Sequence, residues 1–125
     1  GHAVGDRLIS MFAATLREAA APHHILARIG GEEFAAILPG SNLSAGRLFA
    51  ENVRTAFSAL AVEGLPPGTR FTASFGIAEM SRGEMHADLA ARADAALYEA
   101  KRAGRDCVKV NGVQKIIDGG RAVAG

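Results

Sequence analysis

The sequence predicts an α/β sandwich, in which helices flank a largely antiparallel sheet. One observation is the Gly30-Gly31 pair between two short apolar runs, which predicts a β-hairpin because glycine can take the positive φ angles of a tight turn. Another is the helical spacing of apolar residues in three separate segments. The predicted order is helix, hairpin, helix, strand, helix and strand, and such elements bury their apolar faces by stacking in layers.

The first two elements have simple patterns. Leu8, Phe12 and Leu16 recur at helical spacing and place the first helix at about residues 6–20. Apolar runs on both sides of the glycine pair place the hairpin at about residues 25–39.

The second helix is predicted for about residues 45–60, with Ser44 as its N-cap. The charged side chains on it, those of Arg47, Glu51 and Arg54, are interpreted as a solvated outer face. This is the usual role of charges on an amphipathic helix, so we assign them no function.

A strand is predicted for about residues 71–80, and Gly76 within it indicates a bulge or the close approach of another backbone. The third helix is predicted for about residues 87–103, stopped by Gly104 at the position after its C-cap. A short strand at about residues 107–110 completes the order.

Composition narrows the class of protein. The 125 residues are enough for one domain with a real core, and 49% of them are apolar, which is typical of a globular protein. The 14 Lys and Arg nearly balance the 13 Asp and Glu, so no basic surface indicates a nucleic-acid partner, RNA included. The single Cys107 suits a reducing cytoplasm, and no apolar run reaches the ~20 residues of a membrane span, so direct membrane insertion is not expected.

Two carboxylates, Glu32 and Glu33, follow the glycine pair directly. Beside bare backbone they could hold a divalent cation and let a phosphate approach closely. Acidic residues at a turn usually just meet water, so spacing alone favours that interpretation over a functional one.

Three further charges have an ordinary alternative. Asp6 could complement the positive N-terminus of the first helix, and Lys101 and Arg105 could complement the negative C-terminus of the third. Lys101 and Arg105 are four residues apart at the end of this helix.

Residues 30–34, Gly-Gly-Glu-Glu-Phe, resemble the signature of the GGDEF family, the diguanylate cyclases, in its GGEEF spelling. Residues 1–6 resemble the family's Gly-His-x-x-Gly-Asp. Residues 93–106 resemble its Ala-Asp-x-Ala-Leu-Tyr-x-Ala-Lys-x-x-Gly-Arg-Asn, with Asp106 in place of the final Asn. That replacement is expected to weaken a turn contact or to add repulsion near the phosphates. The resemblance covers about residues 1–110.

The resemblance implies a ferredoxin-like palm of the nucleotidyl cyclase type. It makes residues 1–111 a GGDEF domain that is incomplete at its N-terminus, and residues 112–125 a tail or linker. The family's first strand, central in its sheet and carrying a metal-binding Asp, has no counterpart before Gly1. We therefore expect the chain alone to be inactive, and to be marginal in stability, to aggregate or to borrow a strand.

The implied reaction condenses two GTP into cyclic di-GMP with release of pyrophosphate, in a homodimer with one GTP per subunit. By resemblance, Glu32 and Glu33 are the catalytic residues and bind Mg²⁺ or Mn²⁺. Gly30 and Gly31 let the backbone reach the phosphates. The other substrate-binding residues are Asp6 for guanine and Lys101 and Arg105 for the triphosphate.

The resemblance also bears on regulation. Ala21 and His24 replace the Arg and Asp of the family's inhibitory product site, so none is expected here. An upstream sensor or receiver domain is expected in the parent protein, located in the cytoplasm or forming the cytoplasmic part of a larger sensor. The alternative function is a degenerate GGDEF module that binds GTP or cyclic di-GMP and regulates a neighbouring domain.

Overall fold

The computed structural model describes the backbone of residues 2–111 and 120–124 and the side chains of residues 3–111. Within these ranges no helix is long and apolar enough to cross a membrane. The elements, in chain order, are α1 (His2–Ala19), β1 (Ile25–Gly30), β2 (Glu33–Leu38), α2 (Leu43–Ser58), β3 (Phe75–Glu79), α3 (His86–Arg102), β4 (Val108–Asn111) and β5 (Gly120–Ala124).

The described strands form one sheet in the order β1-β2-β5-β3-β4. Three of the pairings are antiparallel, and only β3 and β4 run parallel, which confirms the prediction of a largely antiparallel sheet. The central strand β5 was not predicted: it falls within the segment interpreted as a tail or linker. Ala122 on it pairs with both Ala36 and Ile77. Residues 112–119 and 125 of that segment lie outside the described residues.

Two helices cover one face of the sheet and the third covers the other, as β3 makes clear. Phe75 and Ile77 pack in the larger core with Phe12 of α1 and Val53 of α2. Ala78, which points the other way because strand side chains alternate, packs with residues of α3 such as Leu97. Burial of a large apolar side chain such as Phe75 or Ile77 contributes roughly 1.5–3 kcal/mol to the free energy of unfolding. Strand β3 therefore stabilises the packing of both helical layers on the sheet.

Gly76 lies where β3 and α3 meet. A Cβ added there would be 2.1 Å from the backbone N of Leu97 and 2.3 Å from the carbonyl O of Ala93. No side chain fits at such distances, so the predicted close backbone approach is confirmed.

The start of α2 differs from the prediction. Its N-cap is Asn42, whose Oδ1 accepts a hydrogen bond of 2.8 Å from the backbone N–H of Ala45, so the assignment of Ser44 is wrong. The buried carboxylate of Glu79, on β3, accepts a further hydrogen bond from the backbone N–H of Leu43. This second partner is 36 residues away in sequence, and local pattern could not have indicated it.

Candidate functional site

The hairpin tip is a two-residue turn. Gly30 pairs with Glu33, which leaves Gly31 and Glu32 as the loop residues, and of the two glycines only Gly31 has a positive φ, at 53°. Glu32 therefore projects from the turn itself, whereas Glu33 begins β2. The two carboxylates predicted to act together are held by different kinds of backbone.

Arg28 fastens this turn. Its Nε and Nη2 donate hydrogen bonds of 2.9 and 2.5 Å to the carbonyl oxygen of Gly31, the residue just before Glu32. No motif in the sequence indicated a role for Arg28. Its place two residues before the glycine pair was the only available indication, since a side chain there can reach back across the turn.

Glu33, at the start of β2, contacts Lys101, in the last turn of α3. Lys101 Nζ lies 3.6 Å from Glu33 Oε1, and the two side chains are 30% and 45% exposed. A pair this exposed contributes at most about 1 kcal/mol to stability. Its significance is geometric, because it joins the hairpin to the last turn of α3.

Glu32 faces a cavity of about 350 Å³, a volume within the range of small-ligand sites. Gly5 and Phe12 of α1 line it with Glu32, and so does Arg70. Arg70 was missed in the sequence analysis, since it follows a loop and belongs to no motif. It places a cation at the same cavity as a carboxylate.

Asp6 is exposed beside Gly5, in the second turn of α1, which begins at His2 and not at about Asp6 as predicted. This position weakens the alternative of a helix N-terminal acid, because the dipole acts mainly within the first turn.

The turn after α3 carries Arg105, the other predicted phosphate ligand. Gly104, Arg105 and Asp106 have consecutive positive φ angles of 110°, 63° and 46°. Gly104 occupies the position after the C-cap Ala103, as predicted. Arg105 is exposed, and its backbone N–H donates a 3.0 Å hydrogen bond to the carbonyl oxygen of Ala100.

The interpretation of Arg54 as a solvated surface charge is wrong. Its side chain is 24% exposed, and its Nη1 donates a 3.0 Å hydrogen bond to Oδ1 of Asp106. It also contacts Glu51 through Nε and Nη2, each at 3.2 Å. These hydrogen bonds to Glu51 and then Asp106 raise the pKa of Arg54. The Asp106 carboxylate, expected to weaken a turn contact or to add repulsion near the phosphates, is paired with Arg54.

Comparison with known proteins supports the same assignment as the motifs. Residues 1–107 match the family described as "Diguanylate cyclase, GGDEF domain". The chain belongs to the GGDEF family. Over 110 residues it is 39% identical to the diguanylate cyclase DgcP of Pseudomonas aeruginosa, covering 88% of this chain but only 16% of that protein.

Two solved structures share the fold. The GGDEF domain of DgcB from Caulobacter crescentus, in complex with c-di-GMP, superposes with a TM-score of 0.82 at 37% identity, over 88% of this chain and 66% of that one. The active GGEEF domain of a diguanylate cyclase from Vibrio cholerae gives a TM-score of 0.82 at 27% identity, over 91% of this chain and 72% of that one.

In this GGDEF domain, Ala21 and His24 are engaged with each other. His24 Nδ1 accepts a 3.0 Å hydrogen bond from the backbone N–H of Ala21, and its ring packs edge-on against Phe49 at 5.6 Å. Burial and then the neighbouring His23 lower the pKa of His24. These positions offer neither a guanidinium nor a carboxylate to a ligand.

The GGDEF site contains hard oxygen donors for a cation. In the part of the chain that the structure describes, no three His, Cys, Asp or Glu side chains form a metal-binding group. Mg²⁺, however, is commonly held by one or two carboxylates together with substrate phosphates and water. The adjacent Glu32 and Glu33 fit that arrangement.

Proposed function

We propose that this GGDEF domain condenses two GTP into cyclic di-GMP. The 3′-hydroxyl of each GTP attacks the α-phosphate of the other, the bond to the β-phosphate breaks, and pyrophosphate leaves with that bond's electrons. The observation that carries the proposal is the 3.6 Å contact between Glu33 and Lys101. It joins a carboxylate of the GGEEF signature to a cation suited to the triphosphate.

Glu32 and Glu33 are the residues that would hold Mg²⁺ or Mn²⁺, and the bound ion would neutralise phosphate charge and favour ionisation of the 3′-hydroxyl. Glu32, which lies on the turn and lines the cavity, would accept the hydroxyl proton. Arg28 would keep it there by holding the Gly31 carbonyl.

Binding of the phosphates would use backbone and cations together. A Cβ added at Gly30 or Gly31 would meet no atom within 4 Å, so the space beside both residues is open to a ligand. Lys101 would act as a point charge, and Arg105 as a planar fork that binds two oxygens. Asp6 would select guanine, whose N1–H and exocyclic amine are adjacent donors that adenine lacks.

The reaction needs two nucleotide-loaded sites face to face, so we propose a homodimer with one GTP on each subunit. An upstream sensor or receiver domain in the parent protein would control this pairing. The need for GTP and the one free cysteine, Cys107, suit a cytoplasmic location.

The direct test incubates the full-length protein with GTP and Mg²⁺ and measures cyclic di-GMP and pyrophosphate. We expect both products, in a 1:2 ratio set by the stoichiometry, at a rate that rises more than linearly with protein concentration. Tight GTP binding with no product would instead support the alternative, a degenerate module that regulates a neighbouring domain.

Residues 1–125 alone should not turn over GTP. With Glu32 and Glu33 as its carboxylate ligands, the ion would depend on substrate phosphates and water for the rest of its coordination and would be weakly positioned. Equal rates for this chain and for the full-length protein would show that Glu32 and Glu33 suffice, and would contradict that expectation.

Product inhibition should be absent at the Ala21–His24 segment. Cyclic di-GMP added to a steady-state assay should inhibit only by competing with GTP. Strong non-competitive inhibition would show that a second product site exists elsewhere.

A further inference from the structure

We propose that Arg54 is a positioning residue, which acts through Asp106 to hold the turn that presents Arg105 to the nucleotide phosphates. The inference rests on the proposed function, because it takes Arg105 as a phosphate ligand. It assigns a role on the nucleotide-binding side of the domain to a helix α2 residue that itself belongs to no motif.

The turn needs support because of its backbone. Arg105 and Asp106, with φ angles of 63° and 46°, are the only non-glycine residues with positive φ in the described part of the chain. Side chains with a Cβ disfavour this conformation, so two such residues in succession persist only where neighbouring contacts hold them.

Contacts hold the turn from two sides. On the α3 side, the backbone N–H of Arg105 donates to Ala100 O at 3.0 Å. On the sheet side, the backbone N–H of Phe75 in β3 donates to Cys107 O at 3.0 Å. Neither contact involves the Asp106 side chain, which leaves the orientation of the middle of the turn to be set by another partner.

Arg54 supplies that partner from α2. Its Nη1 donates to Asp106 Oδ1 at 3.0 Å across 52 residues of sequence, while Nε and Nη2 are fixed by Glu51 at 3.2 Å. The guanidinium is thus oriented within α2 before it reaches the turn. Both Arg54 and Asp106 are half-buried, with side chains 24% and 31% exposed, so solvent competes with their contact only in part.

Arg54 and Arg105 have different surroundings and therefore different proposed roles. Arg54 is directed into the protein and bound to two carboxylates, so it is not available to a phosphate. Arg105 is exposed on the turn that Arg54 fastens. Substitution of Arg54 should therefore weaken triphosphate binding only indirectly, because the turn would no longer hold Arg105 in position.

The test measures binding of 3′-deoxy-GTP, which lacks the attacking hydroxyl and cannot react, to the full-length protein by calorimetry. Arg54→Ala should raise the Kd of 3′-deoxy-GTP about tenfold, which is the effect of losing one hydrogen bond between charged groups. The Kd of GMP should stay within about twofold of the original. Arg47→Ala is the matched control: it removes an exposed arginine from the same helix and should change neither value.

A double-mutant cycle distinguishes positioning from general stability. Once Arg105 is already alanine, Arg54→Ala should weaken 3′-deoxy-GTP binding no further, since its effect passes through Arg105. Additive losses, or equal losses for GMP, would overturn the proposal. If Arg105→Ala itself leaves binding unchanged, the proposed phosphate role of Arg105 fails instead, so the two failures can be told apart.

Asp106 provides a second route if Arg54→Ala does not fold. Asp106→Asn keeps an acceptor oxygen and a residue that tolerates positive φ, so binding should stay within about twofold of the original. Asp106→Ala should reproduce the roughly tenfold loss. Equal behaviour of these two variants would contradict a role for the hydrogen bond from Arg54.

Discussion

Two turns of this domain contain residues with positive φ angles, but different residue types adopt them. The hairpin tip takes its positive φ at Gly31, and the turn after α3 takes it at Arg105 and Asp106 as well as at Gly104. Each turn is fastened by an arginine. Arg28 binds a main-chain carbonyl in the first, and Arg54 binds a side-chain carboxylate in the second.

The difference shows what a left-handed backbone position requires when its residue carries a side chain. At the hairpin tip glycine takes the left-handed conformation at little cost, and Arg28 holds the turn through a main-chain carbonyl, so the backbone needs nothing from the neighbouring side chains. Where a guanidinium must stand on a left-handed residue, the conformation depends on a specific acceptor at the next position. The backbone of the hairpin tip should thus keep its conformation when the neighbouring side chains are changed, whereas the backbone of the α3 turn should depend on the Asp106 side chain.

The largest effect should come from Glu32→Gln, which keeps the shape of the side chain and removes its charge. Cyclic di-GMP formation in Mg²⁺ should fall roughly a hundredfold or more, as for loss of a major transition-state interaction. The melting temperature should change little, because the backbone of the turn is held by Arg28 and not by the Glu32 side chain. Near-original turnover would remove Glu32 from the catalytic residues.

Lys101→Ala and Arg105→Ala should each weaken GTP binding about tenfold and reduce its sensitivity to salt, since each removes a charge directed at phosphate. GMP, which lacks the β- and γ-phosphates, should be affected less. Titrations of both nucleotides at two salt concentrations provide the measurement, and equal losses for the two would argue against triphosphate contact.

Asp6→Asn should lower the preference for GTP over ATP by several-fold, because one carboxylate oxygen becomes a donor facing the donors of guanine. Competitive binding of the two nucleotides measures the ratio. Asp6 lies outside both turns, so turnover at saturating GTP should be affected less than by Glu32→Gln. An unchanged ratio would leave Asp6 without a role in base recognition.

The smallest effects are expected for substitutions at the positive-φ residues of the two turns, and they test the comparison between these turns directly. Gly31→Ala places a Cβ on a left-handed residue and should destabilise the domain by about 1 kcal/mol, although the space beside it is open. Arg105→Gly should not destabilise it, because glycine relieves the same strain, yet GTP binding should weaken. Chemical denaturation of both variants checks the signs, and a loss of stability in Arg105→Gly would show that its side chain supports the fold.

Local patterns were sufficient for much of this architecture. Apolar spacing predicted the three helices and the hairpin, and Gly76 indicated the close contact that the structure contains. Motif resemblance selected Glu32, Glu33 and Lys101, of which the structure brings Glu33 and Lys101 into contact. Their roles remain predictions.

Tertiary partners account for what the sequence did not reveal. The environment of Arg54 depends on Asp106, 52 residues away, so its charge alone suggested only a solvated face. The start of α2 depends partly on Glu79 from another element. Strand β5, Gly-Arg-Ala-Val-Ala, has one β-branched residue, and its place in the sheet comes from β2 and β3 on either side.

Gly76 has a consequence for how this domain can vary. Every single-base missense change of a glycine codon introduces a residue with a Cβ, and here that atom would lie 2.1 Å from the backbone of α3. Gly46 differs, since its added Cβ would lie 3.4 Å from Ile77, at an ordinary contact distance. In a saturation library, selection should therefore remove every substitution at position 76, whereas alanine should survive at position 46. The difference in depletion between the two positions would measure how strongly the packing of α3 on the sheet resists displacement.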